Sequence, residues 1–459
     1  MTAHNKYPAK EHARRTVRKL EELAGAVSDA VIYLASSKTI YWPYCDQTQP
    51  IRQSRYFMYF TGVDDIPDCH VVYDIAKDAL TLYLPPVDEE SIMWSGLPVS
   101  LKQALATYDV DDVKHSTDLE KDLKAAGKVI SIELSEEYPI VQESSVLLEA
   151  LDETRMIKDD YELDLMRKAA QISDNSHLAV MSALPIETNE GHIHAEFIYH
   201  SMRQGSKIAA YSPICCSGTD CGTLHYVKND QPLDNKQLVL IDAGAEWKTY
   251  ASDVTRVFPI NGEWTKEARA IFDAVKDMQT QTMNGVEPGV EWDDLHLLAH
   301  KILIKHFLKL GIFVNGSEQD ILASRVSTAF LPHGLGHMLG MDTHDTGGKA
   351  NYDDPDVMFR YLRIRRKLQA NMVVTVEPGI YFNKFLIEPF KSDPIASNLI
   401  DWEVLATYMP VGGIRLEDDV RVTETGFENF TKITRDADEI SRIVKAGIQK
   451  GRSHFHVIA

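Results

Sequence analysis

Four acids and one pair of histidines are the residues of this chain best placed to carry chemistry. Asp242 ends the apolar run 237–242, and Asp253 lies near the start of the next run, 251–258. Glu377 follows the apolar stretch 372–376 and precedes Pro378-Gly379; Glu417 lies within Gly413-Ile414-Arg415-Leu416-Glu417-Asp418-Asp419. A carboxylate at the edge of an apolar run is costly unless it is solvated, paired or bound to a cation. Two carboxylates facing each other on neighbouring strands repel, and a divalent cation removes the conflict. For Asp242 and Asp253 taken alone, turn-flanking aspartates in water are an equally simple reading. Four such acids in one domain are hard to explain as solvated surface. Oxygen-rich donor sets suit Mg2+, Ca2+ or Mn2+, and a mixed histidine and carboxylate set suits Mn2+, Co2+ or Zn2+.

His333-Gly334-Leu335-Gly336-His337 sets two histidines four apart, as in a zinc-peptidase helix, but glycine stands where that helix carries its general base. Gly334, Gly336 and Gly340 also disfavour a helix, so at most one of the two histidines is expected as a ligand. Histidines at the centre of the segment argue against a phosphate-cradling loop. Asp345-Thr346-Gly347 imitates half of an aspartic-protease site, and no second copy exists to share its proton. His296 and His300 lie four apart among Leu295, Leu298, Ala299 and Ile302 without a nearby acid, and read as a surface or boundary pair.

The elements that must position these residues fall into two sets. Apolar runs at 31–34, 70–73, 80–84 and 129–132 read as strands, and 13–24 and 99–108 as helices. From residue 160 a helical period runs through Leu163, Met166, Ala170, Ile172 and Leu178 until Pro185 stops it; a second helix is expected over 190–203. Further on, 237–242 and 251–258 read as a hairpin or adjacent strands around Gly244, Glu246 and Lys248. Residues 265–284 and 293–310 read as helices, and 372–376 and 420–423 as strands. The expected organisation is a smaller amino-terminal α/β domain over 1–154 and an α+β domain over 155–459, an antiparallel sheet flanked by helices.

Bulk properties agree with two domains. At 459 residues the chain exceeds the ~250–300 residues at which single cores stop growing. A net charge of −20 argues against a nucleic-acid partner. No apolar run approaches the ~20 residues of a bilayer span. The polar amino terminus carries Glu11, Glu21 and Glu22 and lacks the pattern of a signal or transit peptide; Arg14, Arg15, Arg18 and Lys19 read as the solvated face of a first helix. The five cysteines, Cys45, Cys69, Cys215, Cys216 and Cys221, are odd in number and read as free thiols, the last three buried, rather than a disulfide framework or a zinc site. A cytoplasmic protein without membrane partners is expected.

Together these pieces resemble the proline-specific metallopeptidases of the pita-bread fold, Xaa-Pro aminopeptidase (aminopeptidase P) and prolidase (Xaa-Pro dipeptidase), over nearly the whole chain. Arg52-Gln53 with Phe57-Met58-Tyr59-Phe60-Thr61-Gly62 is similar to a motif of that family's first domain. Arg155-Met156-Ile157-Lys158 with Met166-Arg167-Lys168-Ala169 is similar to the start of its catalytic domain. Asp242-Ala243-Gly244, Ser252-Asp253-Val254-Thr255-Arg256, Pro332-His333-Gly334-Leu335-Gly336-His337, Val376-Glu377-Pro378-Gly379 and Arg415-Leu416-Glu417-Asp418 resemble its metal motifs, in order.

The resemblance implies a pita-bread catalytic domain holding two Mn2+ per subunit, with Co2+ or Zn2+ as substitutes. It implies Asp242 on one ion, His337 and Glu377 on the other, and Asp253 and Glu417 bridging both, with His333 as no ligand. It further implies a hydroxide bridging the ions that attacks the carbonyl before proline, with Glu377 as proton shuttle. His225 and His344 would act on the substrate, Arg415 would stand beside the last ligand, and Arg363 would meet the substrate carboxylate. Substrates would be peptides or dipeptides with proline in second position, and subunits would pair as homodimers. A strict Xaa-Pro dipeptidase is the alternative, since Gly336 and Arg363 look closer to prolidase. A non-enzymatic binding module on the same fold is the alternative of another class; it would be expected to lose ligands that this chain keeps.

Overall fold

The computed structural model describes residues 6–451 and 454–455, and the chain divides into two compact units, Met1–Asp164 and Leu165–Ala459. The division falls inside the helix Asp160–Ala183, later than the expected 154/155 boundary, because helix Ser145–Met156 packs on helix Ala9–Ala24 within the first unit. The part of the amino-terminal reading that concerns residues 1–5 lies outside the described residues.

The first unit is built on a six-stranded mixed sheet. Its strands are β1 (Ala30–Ala35), β2 (His70–Asp74), β3 (Ala79–Leu84), β4 (Asp112–His115), β5 (Lys128–Ser131) and β6 (Val141–Glu143), in the spatial order β4-β3-β2-β1-β5-β6. β1, β2 and β3 run antiparallel in sequence, whereas β4 joins β3, β5 joins β1 and β6 joins β5 in parallel. Val31, Tyr33, Val72, Tyr83, Leu123 and Val129 pack into one core on this sheet. β4 and β6 escape a hydrophobicity reading because each buries a single valine, Val113 or Val141, as edge strands do. On helix Ala9–Ala24, Arg14 pairs with Asp78 and Arg18 with Glu11 near the surface. Arg15 departs from the expected solvated face: its guanidinium turns inward and donates to the Thr154 carbonyl at 2.9 Å.

The second unit is an antiparallel assembly with helices around it. Its strands are β7 (Ile214–Ser217), β8 (Leu238–Asp242), β9 (Glu246–Trp247), β10 (Tyr250–Ala251), β11 (Thr255–Pro259), β12 (Val373–Val376), β13 (Gly379–Tyr381), β14 (Gly413–Arg415), β15 (Asp418–Thr423) and β16 (Gly426–Asn429). They pair as β11-β8-β7, β12-β15-β16, β13-β14 and β10-β9, all antiparallel. A bridge between Thr255 and Glu417 links the first two groups. Every residue of β8, β11 and β12 is buried, which explains their continuous apolar sequences. Helices Glu190–Arg203, Lys266–Asn284, Trp292–Leu310 and Ala437–Lys450 flank the strands. This is the antiparallel sheet flanked by helices that the sequence led us to expect.

Two expectations are corrected. Residues 251–258 do not form one strand; β10 and β11 are separated by Ser252-Asp253-Val254, where the Asp253 amide leaves the ladder to donate to Asp419 at 3.0 Å. The β9–β10 turn passes through Lys248 and Thr249 with φ of 48° and 68°, the left-handed pair of a two-residue hairpin. His296 and His300 are no surface pair, for both are fully buried. His296 Nε2 donates to the Met358 carbonyl at 2.7 Å and His300 Nδ1 meets Ser327 Oγ at 2.9 Å, so backbone and hydroxyl partners replace water. Cys69, Cys215, Cys216 and Cys221 are buried free thiols and Cys45 is an exposed one. Among the described residues no helix is long and apolar enough to cross a membrane.

Candidate metal centre

The strand ends deliver the acids to one place. Asp242 closes β8, and Asp253 occupies the kink between β10 and β11. The turn between them requires glycine at 244, where a Cβ would stand 1.7 Å from the Ser252 carbonyl oxygen. His337 arrives on an extended segment laid along β12: the Thr375 amide donates to the His337 carbonyl at 2.9 Å, and the His337 amide donates to Thr375 Oγ1 at 3.1 Å. A Cβ at Gly336 would stand 2.0 Å from the Thr375 carbonyl oxygen, so the glycine serves close strand approach and not a phosphate. Glu377 follows β12 directly, its amide bonded to the Leu335 carbonyl at 2.8 Å, and Glu417 joins β14 to β15.

Three of the four acids, Asp242, Asp253 and Glu417, are oriented by a hydrogen-bonding neighbour. The Tyr211 hydroxyl bonds both Asp242 Oδ1, at 2.6 Å, and Asp253 Oδ1. Arg415 donates to Asp242 Oδ2 at 2.6 Å, to Thr255 Oγ1 at 3.0 Å and to the Tyr381 hydroxyl at 3.0 Å. The Thr255 hydroxyl in turn donates to Glu417 Oε2 at 2.7 Å. His337 Nδ1 donates to the Met338 carbonyl at 3.0 Å, which leaves Nε2 as the face turned to the acids. That nitrogen lies 3.3 Å from Asp253, 3.5 Å from Glu377 and 3.7 Å from Glu417.

The donor set fits divalent cations. Ligand atoms of Asp253, His337 and Glu417 all lie within 4.8 Å of one another, on buried residues. Of the four carboxylates, that of Asp242 pairs with the buried Arg415 guanidinium. Burial, together with the charges of Glu417 and Asp242, pushes the Asp253 carboxyl up to about 8. Burial and Glu417 likewise hold Glu377 well above the usual carboxylate range. Burial alone would lower the His337 imidazole, but bonding to Asp253 and Glu417 raises it well above its ordinary value. Protons are thus drawn to positions where divalent charge would relieve the same repulsion.

A cavity of about 540 Å³ opens above these groups, and all nine residues singled out from sequence line it: Asp242, Asp253, His337, Glu377, Glu417, His225, His344, Arg363 and Arg415. The His344 ring meets the His337 ring edge-on at 4.5 Å between centroids. Partial burial, and then His337 and Arg363, lower His344 to about 3, so it is a neutral imidazole. Of the neighbouring arginines only Arg363 faces the cavity; Arg365 pairs with Asp293 and Asp354, and Arg366 donates to the Gly347 carbonyl. His333 is no ligand: its Nδ1 donates to the Gly334 carbonyl at 2.7 Å, and its Nε2 meets the Tyr381 hydroxyl at 2.8 Å.

Sequence reasoning missed Tyr211 and Thr255 as partners of the acids, and Tyr381 as a partner of Arg415 and His333. Thr255 stands inside the second aspartate motif and was within reach. Tyr211 lies 31 residues before Asp242 with no spacing signal to mark it.

Comparison with known proteins agrees with this geometry. The model of metallopeptidase family M24 matches residues 164–424, and that of the aminopeptidase P N-terminal domain matches residues 12–131. The chain belongs to metallopeptidase family M24. It is 50% identical to an uncharacterized peptidase of Saccharomyces cerevisiae, over 99% of this chain and 87% of the relative. It is 46% identical to a probable Xaa-Pro aminopeptidase of Botryotinia fuckeliana, over 96% of this chain and 97% of that one. The solved aminopeptidase PepP of Pseudomonas aeruginosa superposes with a TM-score of 0.80 at 26% identity, covering 97% of this chain and 100% of its own. The family is one of dinuclear metallopeptidases on the pita-bread fold, as the sequence resemblance implied.

Proposed function

We propose that this chain is a proline-specific metallo-exopeptidase that cleaves the bond between an N-terminal residue and a proline in second position. The observation that carries this reading is the convergence of Asp242, Asp253, His337, Glu377 and Glu417 on the floor of one cavity, in a chain 46% identical to a probable Xaa-Pro aminopeptidase. These five residues would hold two divalent ions, Mn2+ first and Co2+ or Zn2+ as substitutes, as their mixed nitrogen and oxygen donors suit. When bound, such a pair supplies Lewis acidity and lowers the pKa of water from ~15.7 to near neutrality.

The remaining work belongs to the side chains. Glu377, part-exposed to the cavity, accepts the proton of the attacking water and returns it to the proline nitrogen. That nitrogen leaves a tertiary amide, which carries no N–H for ordinary strand-like recognition. Neutral His344 and the exposed His225 stabilise the tetrahedral oxygen or hold the proline side. Arg363, which lines the cavity and donates to the Tyr352 hydroxyl at 3.3 Å, would meet a substrate carboxylate. Arg415 fixes Asp242 and lines the cavity floor. Buried free thiols support a reducing, cytoplasmic setting, and the working species is taken to be a homodimer, which light scattering tests.

The deciding assay uses Gly-Pro and a longer Xaa-Pro-Xaa peptide, each with Mn2+ added and with Mn2+ removed. Cleavage of the longer peptide marks an aminopeptidase, and cleavage of the dipeptide alone a strict dipeptidase. No cleavage of either with metal present overturns the enzymatic reading.

A further inference from the structure

Outside the metal centre lies a buried carboxylate that nothing above has used. Glu190 is fully buried at the first turn of helix Glu190–Arg203. Its Oε1 accepts from Ser217 Oγ at 2.7 Å; its Oε2 accepts from the Tyr226 hydroxyl at 2.8 Å and from the Gln231 amide at 3.0 Å. A buried carboxylate is expensive, and here three donors and the amino end of a helix offset the cost. The three donors share one property: all lie at the base of, or within, the segment between β7 and β8.

That segment carries one wall of the cavity. Leu224, His225 and Val227 line it, and His225 is exposed within it, so its place is set by backbone more than by packing. Tyr226 is the next residue after His225. Further tethers hold the same segment: the Glu190 amide donates to the Gln231 carbonyl at 3.0 Å, and Asn229, at φ 49°, accepts from the Cys215 amide and donates to the Pro213 carbonyl, each at 2.8 Å. We infer that Glu190 is a positioning residue for His225, anchoring through Ser217, Tyr226 and Gln231 the loop that presents the histidine to substrate. The inference rests on the reading of His225 as a substrate-binding residue.

The test compares Glu190→Gln and Tyr226→Phe, each alone and combined with His225→Ala, in the Mn2+-loaded full chain. Expected are a KM for the cleaved Xaa-Pro peptide raised about 10-fold with kcat changed less, an unchanged Mn2+ stoichiometry and affinity by calorimetry, and less than about 2-fold further effect in the His225→Ala background. Amide exchange over residues 223–231 should quicken in both variants while the rest of the chain keeps its protection. An effect that is fully additive with His225→Ala, or exchange that is unchanged over 223–231, overturns the inference. Wild-type enzyme that cleaves neither peptide overturns the activity reading instead, and the exchange measurement still decides whether Glu190 holds the loop.

Discussion

The two units each contain a cluster of one histidine and two acids whose ligand atoms lie within 4.8 Å of one another, His12–Asp159–Glu162 in the first and Asp253–His337–Glu417 in the second. Their composition is nearly the same and their chemistry is opposite. His12 has both ring nitrogens engaged, Nδ1 with the Tyr59 carbonyl at 2.9 Å and Nε2 with Asp159 at 2.8 Å. The Arg15 guanidinium lies 3.8 Å from Glu162 and 4.0 Å from Asp159, and the two acids cap the helix start through each other's amides at 2.9 Å. That cluster is charge-compensated and hydrogen-bonded within itself. In the second cluster His337 spends only Nδ1 on the backbone, and two further carboxylates, those of Asp242 and Glu377, join, while the Arg415 guanidinium pairs with Asp242 and not with the cluster's own acids. Proximity of ligand types alone thus does not distinguish the two clusters; an unspent ring nitrogen and two additional carboxylates do.

The comparison can be broken most easily at its strongest point. Replacing Glu377 with alanine should reduce turnover by at least about 10³-fold, as loss of a group acting in the transition state does, while Glu162→Gln leaves turnover within about 2-fold. Comparable losses in both would erase the distinction. Metal content sharpens it: Asp253→Asn and His337→Ala should each lower the Mn2+ bound per chain after dialysis, measured by mass spectrometry, and Asp159→Asn should not. A smaller effect is expected from the groups that orient the acids. Tyr211→Phe or Thr255→Val should weaken Mn2+ binding by about 10- to 100-fold in calorimetry, with the fold intact by circular dichroism. Unchanged affinity would show that these hydroxyls only fill space.

The smallest effect concerns protons away from the centre. Burial lowers His296 to about 4 from its ordinary value near 6.5. A histidine depressed in the folded state contributes stability above its unfolded pKa and loses it as pH falls through the folded one. Thermal melts should therefore drop between pH 6.5 and about 4, and the slope should flatten in His296→Gln, whose amide still can donate to the Met358 carbonyl. An equal slope in the variant would place the acid sensitivity elsewhere.

The candidate ligands Asp242 and Glu377 were legible because an acid at the end of a buried strand is an energetic anomaly, and one closes β8 while the other directly follows β12. Their joint meaning came from order along the chain, since Asp242 and Asp253 alone were compatible with solvated turns. Helix Glu190–Arg203 was readable from its period, with Asn189 at its cap. What stayed hidden depends on contacts distant in sequence. Helix Trp292–Leu310 looks amphipathic enough to leave His296 and His300 at a boundary, yet Met358 covers the first and Ser327 the second, both contributed from later segments. Glu190 carries no local signal because its partners are set by where β7 and β8 place the intervening loop, and Tyr211 carries none because its partners Asp242 and Asp253 lie 31 and 42 positions further on.

The Thr255–Glu417 bridge has a consequence for how the molecule holds together. Its two residues are 162 positions apart, and the Arg415–Asp242 pair spans 173. A cation gripped by both ends of so long a stretch would behave as a removable clip on the chain. It would restrict the unfolded state much as a covalent crosslink does, an entropic effect on the order of 5 kcal/mol for loops of this size. Chelation should thus lower the melting temperature of the second unit as well as silence it, which makes metal occupancy a thermometer of tertiary closure.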